Sequence, residues 1–165
     1  MPVKTNAARM LEARGIAYRA TVYDPSGAFH SADEAAELLG APAEAVYKTL
    51  VVLRETIRRE RPLLVLVPSR AQLDLKLLAR GLGEKKVRMA TQREAEALTG
   101  LQVGGISALA VRQGAFDVYL DESARARETI HVSAGVRGVD FELRVADLVA
   151  VTGARWLRAV SDYAW

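Results

Sequence analysis

Residues 46–67 read VYKTLVVLRETIRRERPLLVLV. Two runs rich in valine and leucine, Val46–Leu53 and Leu63–Val67, flank a charged segment carrying Arg54, Glu55, Arg58, Arg59, Glu60 and Arg61. Such runs around a charged turn predict two paired strands. Outward from that pair, helical and extended patterns alternate. Towards the N-terminus, Ser31–Leu39 reads as a helix with Ser31 as cap, Glu34 three residues on and Gly40 as stop. Before it, Ala17–Tyr23 alternates like a strand up to the turn signal Asp24-Pro25-Ser26-Gly27. Thr5–Arg14 reads as a first helix, capped by Thr5 or Asn6 and stopped by Gly15. Towards the C-terminus, Leu73, Leu77 and Leu78 form a helical stripe ending near Gly81. Thr91-Gln92-Arg93-Glu94 is a capping box opening a helix that ends at Gly100. Phe116–Leu120, Thr129–Ser133 and Val139–Leu143 are apolar stretches, followed by a short helix from Val145 to Thr152. Adjacent strands mixed with separated helices predict an α/β (α+β) fold with a mixed sheet.

The 165 residues suit one domain, 1–165, long enough to bury a sizeable core. The chain has no cysteine, which excludes disulfides, Fe–S clusters, thiolate zinc sites and a cysteine nucleophile. His30 and His131 are isolated, with no HxH or HExxH spacing, so no metal is expected. No G-x-S-x-G elbow, Walker loop or Rossmann fingerprint is present, and no cofactor is expected either. The apolar runs fall far short of the roughly 18 residues a membrane span needs. Met1–Arg14 is charged throughout, without an apolar signal core, which predicts a cytoplasmic protein.

The net charge of +3 is unevenly placed. Residues 54–93 hold 11 Lys/Arg against 4 Asp/Glu, while the flanking segments are acidic on balance. A focused basic block attracts phosphates and can steer nucleic acid, although a solvated arginine-rich face has the same composition. Lys76 and Arg80 lie one helical turn apart, with Lys85, Lys86 and Arg88 following.

Three stretches could carry chemistry. In Thr99-Gly100-Leu101-Gln102-Val103-Gly104-Gly105-Ile106-Ser107, two adjacent glycines sit between apolar neighbours. They permit either a tight turn or a loop whose N–H groups meet a carbonyl oxygen or phosphate. In Val46-Tyr47-Lys48-Thr49-Leu50, strand alternation puts Lys48 on the face of Val46 and Leu50. An ammonium there either occupies an edge position or meets an anion in a cleft. Val132-Ser133-Ala134-Gly135-Val136-Arg137-Gly138-Val139-Asp140 reads alone as a β-turn, with a glycine-flanked arginine and an acid entering a strand.

Taken together and in order, these segments resemble the YbaK/EbsC family, deacylases related to the editing insertion of bacterial prolyl-tRNA synthetases. The matching stretches are Val46–Leu50, Gln72–Lys76 running to Lys85–Ala90, Thr99-Gly100 to Val103–Ser107, and His131–Gly135 to Arg137–Leu143. The resemblance extends from Thr5 to Thr152. It implies a barrel-like mixed sheet with flanking helices, and a pocket for the aminoacylated 3′ end of tRNA. By motif match Lys48 becomes the functional lysine, with Gly104, Gly105, Ile106 and Ser107 lining the aminoacyl pocket. Asp140, Arg137 and Tyr23 fall at substrate-binding positions. Lys76, Arg80, Lys85, Lys86 and Arg88 become candidate tRNA contacts. Two departures stand out. Ala108 replaces the proline that many relatives carry after the Ile-Ser pair, and Gly27–Ala32 does not align, leaving Phe29 as the candidate there.

The activity so implied is trans-editing: removal of a mischarged amino acid from tRNA(Pro), with cysteine the first choice and alanine or another small residue the second. An aminoacyl ester is already activated, so positioning and charge stabilisation suffice without a protein nucleophile. In Cys-specific relatives the substrate's own thiol is understood to attack its ester, and hydrolysis by water is the alternative. Aminoacylated tRNA and prolyl-tRNA synthetase are the implied partners. From a different class, the domain could instead be a non-catalytic module that binds tRNA or a synthetase.

Overall fold

The computed structural model describes residues 5–24, 32–55 and 60–163. Helix α1 (Asn6–Ala13) begins where the Thr5 hydroxyl accepts from the Ala8 N–H at 3.0 Å, and buries Ala7, Ala8 and Leu11. Strand β1 (Arg19–Val22) follows, then helix α2 (Ala32–Leu39), stopped by Gly40 with φ +64°. Strands β2 (Tyr47–Arg54) and β3 (Leu63–Pro68) pair antiparallel, with Lys48 opposite Val67. The paired strands expected around the charged segment are present.

Helix α3 (Leu75–Leu82) is capped by Asp74, whose carboxylate accepts from the Leu77 N–H at 2.9 Å. It runs past the expected stop at Gly81 and ends at Gly83, which takes the left-handed conformation with φ +73°. Gly81 has a packing role instead: a Cβ there would lie 2.4 Å from Leu157 Cδ1. Strand β4 (Val87–Met89), absent from the sequence reading, pairs antiparallel with Val52–Arg54 at the end of β2. Helix α4 (Gln92–Thr99) carries the predicted reciprocal cap between Thr91 and Glu94. Strands β5 (Asp117–Asp121), β6 (Thr129–Ser133) and β7 (Val139–Arg144) lead into helix α5 (Val145–Thr152) and strand β8 (Arg155–Leu157), the second element not anticipated.

The strands form two sheets, ordered β1-β7-β6 and β4-β2-β3-β5-β8. The larger is mixed, as expected: β2 lies antiparallel to β3 and β4, while β3, β5 and β8 run parallel. The barrel-like expectation needs correction, because the strands do not close on themselves. One bridge, between Val46 and His131, links the two sheets at the entrance to β2. Between the sheets lies the main core, where Leu64, Leu66 and Leu120 meet Ile130, Val132 and Phe141 beneath Leu11 and Leu148. A second core on the outer face of the large sheet packs Val52, Leu63, Val65 and Val67 against Leu78 and Ala79 of α3. Covered on both faces, β3 is buried along its whole length, which is why it reads as an unbroken apolar run.

A buried carboxylate ties the C-terminal segment to this frame. Asp121 accepts from the N–H groups of Ser123 and Ala159 and from the Tyr163 hydroxyl, at 3.1, 2.8 and 2.9 Å. The Ser123 hydroxyl in turn lies 2.7 Å from that of Tyr47, at the start of β2.

Candidate active site

Among the described residues, β2 beyond Val46 is paired on one side only until it reaches β4 at Val52. A cleft of about 480 Å³ opens along this free edge. Its walls come from four places: β2 from Val46 to Val51, the start of α4 with Met89 and Ala90 before it, the loop after α4, and the facing ends of β1, β6 and β7. Lys48, Gly104, Ile106, Tyr23 and Asp140, singled out from sequence stretches far apart, all line it.

Lys48 and Asp140 give the cleft two opposite charges that do not neutralise each other. Burial draws the Lys48 ammonium below the usual lysine range, with no carboxylate opposing the shift. Burial pushes the Asp140 carboxyl up to about 6, while a hydrogen bond from Tyr23 pulls the other way. That bond runs from the Tyr23 hydroxyl to Asp140 Oδ1 at 3.3 Å. Burial and the neighbouring Asp140 charge in turn push the Tyr23 phenol up to about 12. The Tyr23 N–H also donates to the Gly138 carbonyl at 2.8 Å, so the residue is held from both ends.

The two glycine motifs prove to be one packed unit. A Cβ on Gly105 would lie 2.8 Å from both the Arg137 nitrogen and the Val136 carbonyl carbon, so only glycine permits this approach. Gly104 has φ +95°, a conformation that suits glycine, and faces the Arg137 side chain. Glu96 of α4, a residue the sequence reading passed over, accepts from the Val103 N–H at 2.9 Å and anchors the loop.

Other candidates fall outside the cleft. Ser107 is fully buried, its hydroxyl accepting from the Leu109 N–H at 3.1 Å, so it shapes the loop. Gly105 and Arg137 do not line the cleft, although Arg137, which is exposed, lies against Gly104 and its charge acts on Tyr23. Ala108 is buried in the main core. Phe29 and the segment 27–31 lie outside the described residues.

None of the five basic candidates lines the cleft. Lys76, Arg80, Lys85 and Lys86 are exposed, and Lys86 sits 3.5 Å from Glu55. Arg88 is engaged within the fold: both its terminal nitrogens reach the Glu94 carboxylate at 2.8 Å, holding Glu94 down to about 2. Ser69 and Ser133 line the cleft, but among the described residues no histidine does, and the Ser133 hydroxyl accepts from the Gly135 N–H. Among the described residues, therefore, no seryl–histidine pair faces this space, and no group of three potential metal ligands occurs.

The sequence model of the aminoacyl-tRNA editing domain matches residues 27–151. The chain belongs to this family. The editing domain is 35% identical to a candidate Cys-tRNA(Pro)/Cys-tRNA(Cys) deacylase, EbsC, of Enterococcus faecalis. That similarity covers 93% of this chain and 91% of the relative. Its fold matches the crystal structure of a candidate trans-editing enzyme for prolyl-tRNA synthetase with a TM-score of 0.81 at 27% identity, over 98% of this chain and 100% of that one. The hypothetical protein APE2540 superposes equally well, with a TM-score of 0.81 at 25% identity, over 93% of this chain and 98% of that one. The YbaK-type resemblance read from four sequence stretches agrees with the family model, the EbsC relative and the trans-editing structure. Among the described residues of the editing domain no helix is long and apolar enough to cross a membrane.

Proposed function

We propose that this editing domain acts in trans as an aminoacyl-tRNA deacylase that cleaves the ester of cysteine wrongly attached to tRNA(Pro). The observation that carries the reading is the uncoupled pair of opposite charges, Lys48 and Asp140, lining one cleft. The aminoacylated 3′ end of a tRNA has the complementary polarity: phosphate at one end, α-ammonium at the other. Lys48 binds the terminal phosphate or ribose, where a compact ammonium fits better than a planar guanidinium. Asp140 faces the α-ammonium. The main-chain N–H groups of the Gly104 loop stabilise the charge that develops on the ester oxygen.

Two attacking groups fit a cleft that no seryl–histidine pair faces among the described residues. With cysteine, the substrate's thiol attacks its own carbonyl carbon as the tRNA hydroxyl leaves; with any residue, a water molecule does the same. Both routes draw their rate from positioning an already activated ester. Editing is needed because a synthetase pocket discriminates one methylene by only about 1–3 kcal/mol. Working beside prolyl-tRNA synthetase would bring tRNA recognition that so small a domain lacks, and co-elution of enzyme, synthetase and tRNA on sizing tests that.

The deciding assay presents tRNA(Pro) charged with cysteine, alanine or serine. Fastest release from the cysteinyl ester is expected. Preference for the alanyl ester would move the substrate to a smaller residue, and no turnover of any would leave a binding module.

A further inference from the structure

A second cavity, of about 400 Å³, lies apart from the cleft and shares no lining residue with it. One wall is a stripe of α1 and its cap: Asn6, Met10 and Arg14 recur every fourth residue on one side, while Ala7, Ala8 and Leu11 are buried. The other wall is the loop from Ala108 to Gly114, and the end of α5 contributes Val151 and Thr152. The loop wall is held in place. The Ala110 N–H donates to the Ser107 carbonyl at 3.1 Å, and a Cβ on Gly135 would lie 2.6 Å from that of Ala110. The Ala115 N–H closes the turn on the Arg112 carbonyl at 3.1 Å.

The cavity has an apolar floor and a cationic rim. Leu109, Val118 and Val151 are buried members of the main core, with Met10 and Val111 packed against it. Arg14 and Arg112 are exposed, and among the described residues neither has an ion-pair partner and no Asp or Glu lines the space. The Arg14 guanidinium donates only to the Gln113 side-chain oxygen, at 3.3 Å. A carboxylate is a stronger acceptor than that neutral amide, and matches the planar fork of a guanidinium.

We propose that this cavity binds a small carboxylate with an apolar tail. The head accepts from Arg14 and Arg112, and the tail covers Leu109, Val118 and Val151. The volume falls within the range of small-molecule pockets, about 300–1,000 Å³. Other ligand classes match less of the lining. A free amino acid brings an ammonium that finds no acid here, a bare inorganic anion leaves the apolar floor uncovered, and an alcohol leaves both guanidinium groups unused. No ion pair of the fold has to break on binding, and the walls are already in place, which keeps the ordering cost low. The site is independent of the deacylase reading, since neither arginine lines the cleft.

The test uses octanoate as probe, with 1-octanol, octylamine and acetate as controls. Binding is followed by calorimetry and by the methyl resonances of Met10, Val111, Val118 and Val151. One octanoate per chain is expected, with shifts at those methyl groups and weaker binding of all three controls. Arg14→Ala combined with Arg112→Ala should lower octanoate affinity by about 10-fold, a few-fold for each exposed guanidinium, and leave that for octanol unchanged. Gln113→Glu keeps the shape but sets a carboxylate beside Arg14, and should also weaken octanoate. These positions are exposed, so the variants should keep the parent's thermal midpoint. An uncleavable substrate analogue, 3′-(cysteinylamino)-3′-deoxyadenosine, should not displace the probe. Four results overturn the proposal: no saturable octanoate binding, equal affinity for octanol, unchanged octanoate affinity in the double variant, or displacement by the nucleoside, which would put the probe in the cleft.

Discussion

Replacing Asp140 with asparagine should make the protein more stable and less active at once. Burial raises the Asp140 carboxyl from 3.8 to about 6, so ionising it in the fold costs more than ionising it in the unfolded chain. Near two units, at 1.36 kcal/mol each, the cost approaches about 3 kcal/mol once both states are ionised. Between pH 4 and 6 the folded state binds more protons than the unfolded one, so this contribution to stability falls as pH rises through that window. Above it the penalty is complete; below it Asp140 is a neutral acid and the penalty is nearly gone. Asparagine is neutral at every pH and keeps an oxygen for the Tyr23 hydroxyl, 3.3 Å from Asp140 Oδ1. At pH 8, Asp140→Asn should therefore gain up to about 3 kcal/mol, or about 6–12 °C in thermal midpoint for a chain of this size. At pH 4 the gain should shrink to under about 1 kcal/mol. Scanning calorimetry of both proteins at the two pH values measures this directly. A variant no more stable than its parent at pH 8, or one with the same gain at pH 4, would refute the reasoning. The activity arm has its own signature. Binding of an aminoacyl ester should weaken in the parent as pH drops below about 6, and that acidic limb should be missing from Asp140→Asn, with a lower plateau.

Lys48→Ala should fold normally, since it removes a desolvated cation, and lose one to a few powers of ten in deacylation, about 1.4 kcal/mol for each tenfold; full activity in a folded variant would remove Lys48 from the site. Lys48→Arg should also be impaired in the same assay, because shape counts there as well as charge. Replacing Lys85 and Lys86 with alanine should flatten the salt dependence of tRNA affinity by about one power of salt for each phosphate no longer neutralised, measured by titration at several salt concentrations. Gly105→Ala should destabilise the loop and cut deacylation, because its Cβ meets the Val136–Arg137 main chain at 2.8 Å; an unaltered thermal midpoint and rate would contradict the close packing.

Local signals carry most of the elements. The Thr91–Glu94 box and the span of α5 are readable because each is decided within a few residues of chain. The elements that escape are decided at a distance. β4 and β8 have three residues each, and each is a strand only because Arg88 meets Leu53 and Arg155 meets Tyr119. Gly81 reads as a helix stop by local rules, yet it is a helical residue that makes room for Leu157. The site divides in the same way. Lys48, Gly104 and Asp140 are visible as residue types out of place, and Gly105 is visible as a position needing close approach. What it approaches is the second glycine motif, so two stretches that read as separate candidates form one wall. Ser107 shares that motif and reads as part of it, but strand and loop direction turn its hydroxyl into the fold. Thr49 gives no signal, because threonine in a strand is ordinary. Its buried hydroxyl has no hydrogen-bond partner among the described residues, and no reading of residues 46–50 alone shows that. What a local reading misses is how Lys48 and Asp140 relate. Their opposite charges could have been a structural ion pair; instead both line one cleft, and burial rather than the other's charge dominates the shift of each.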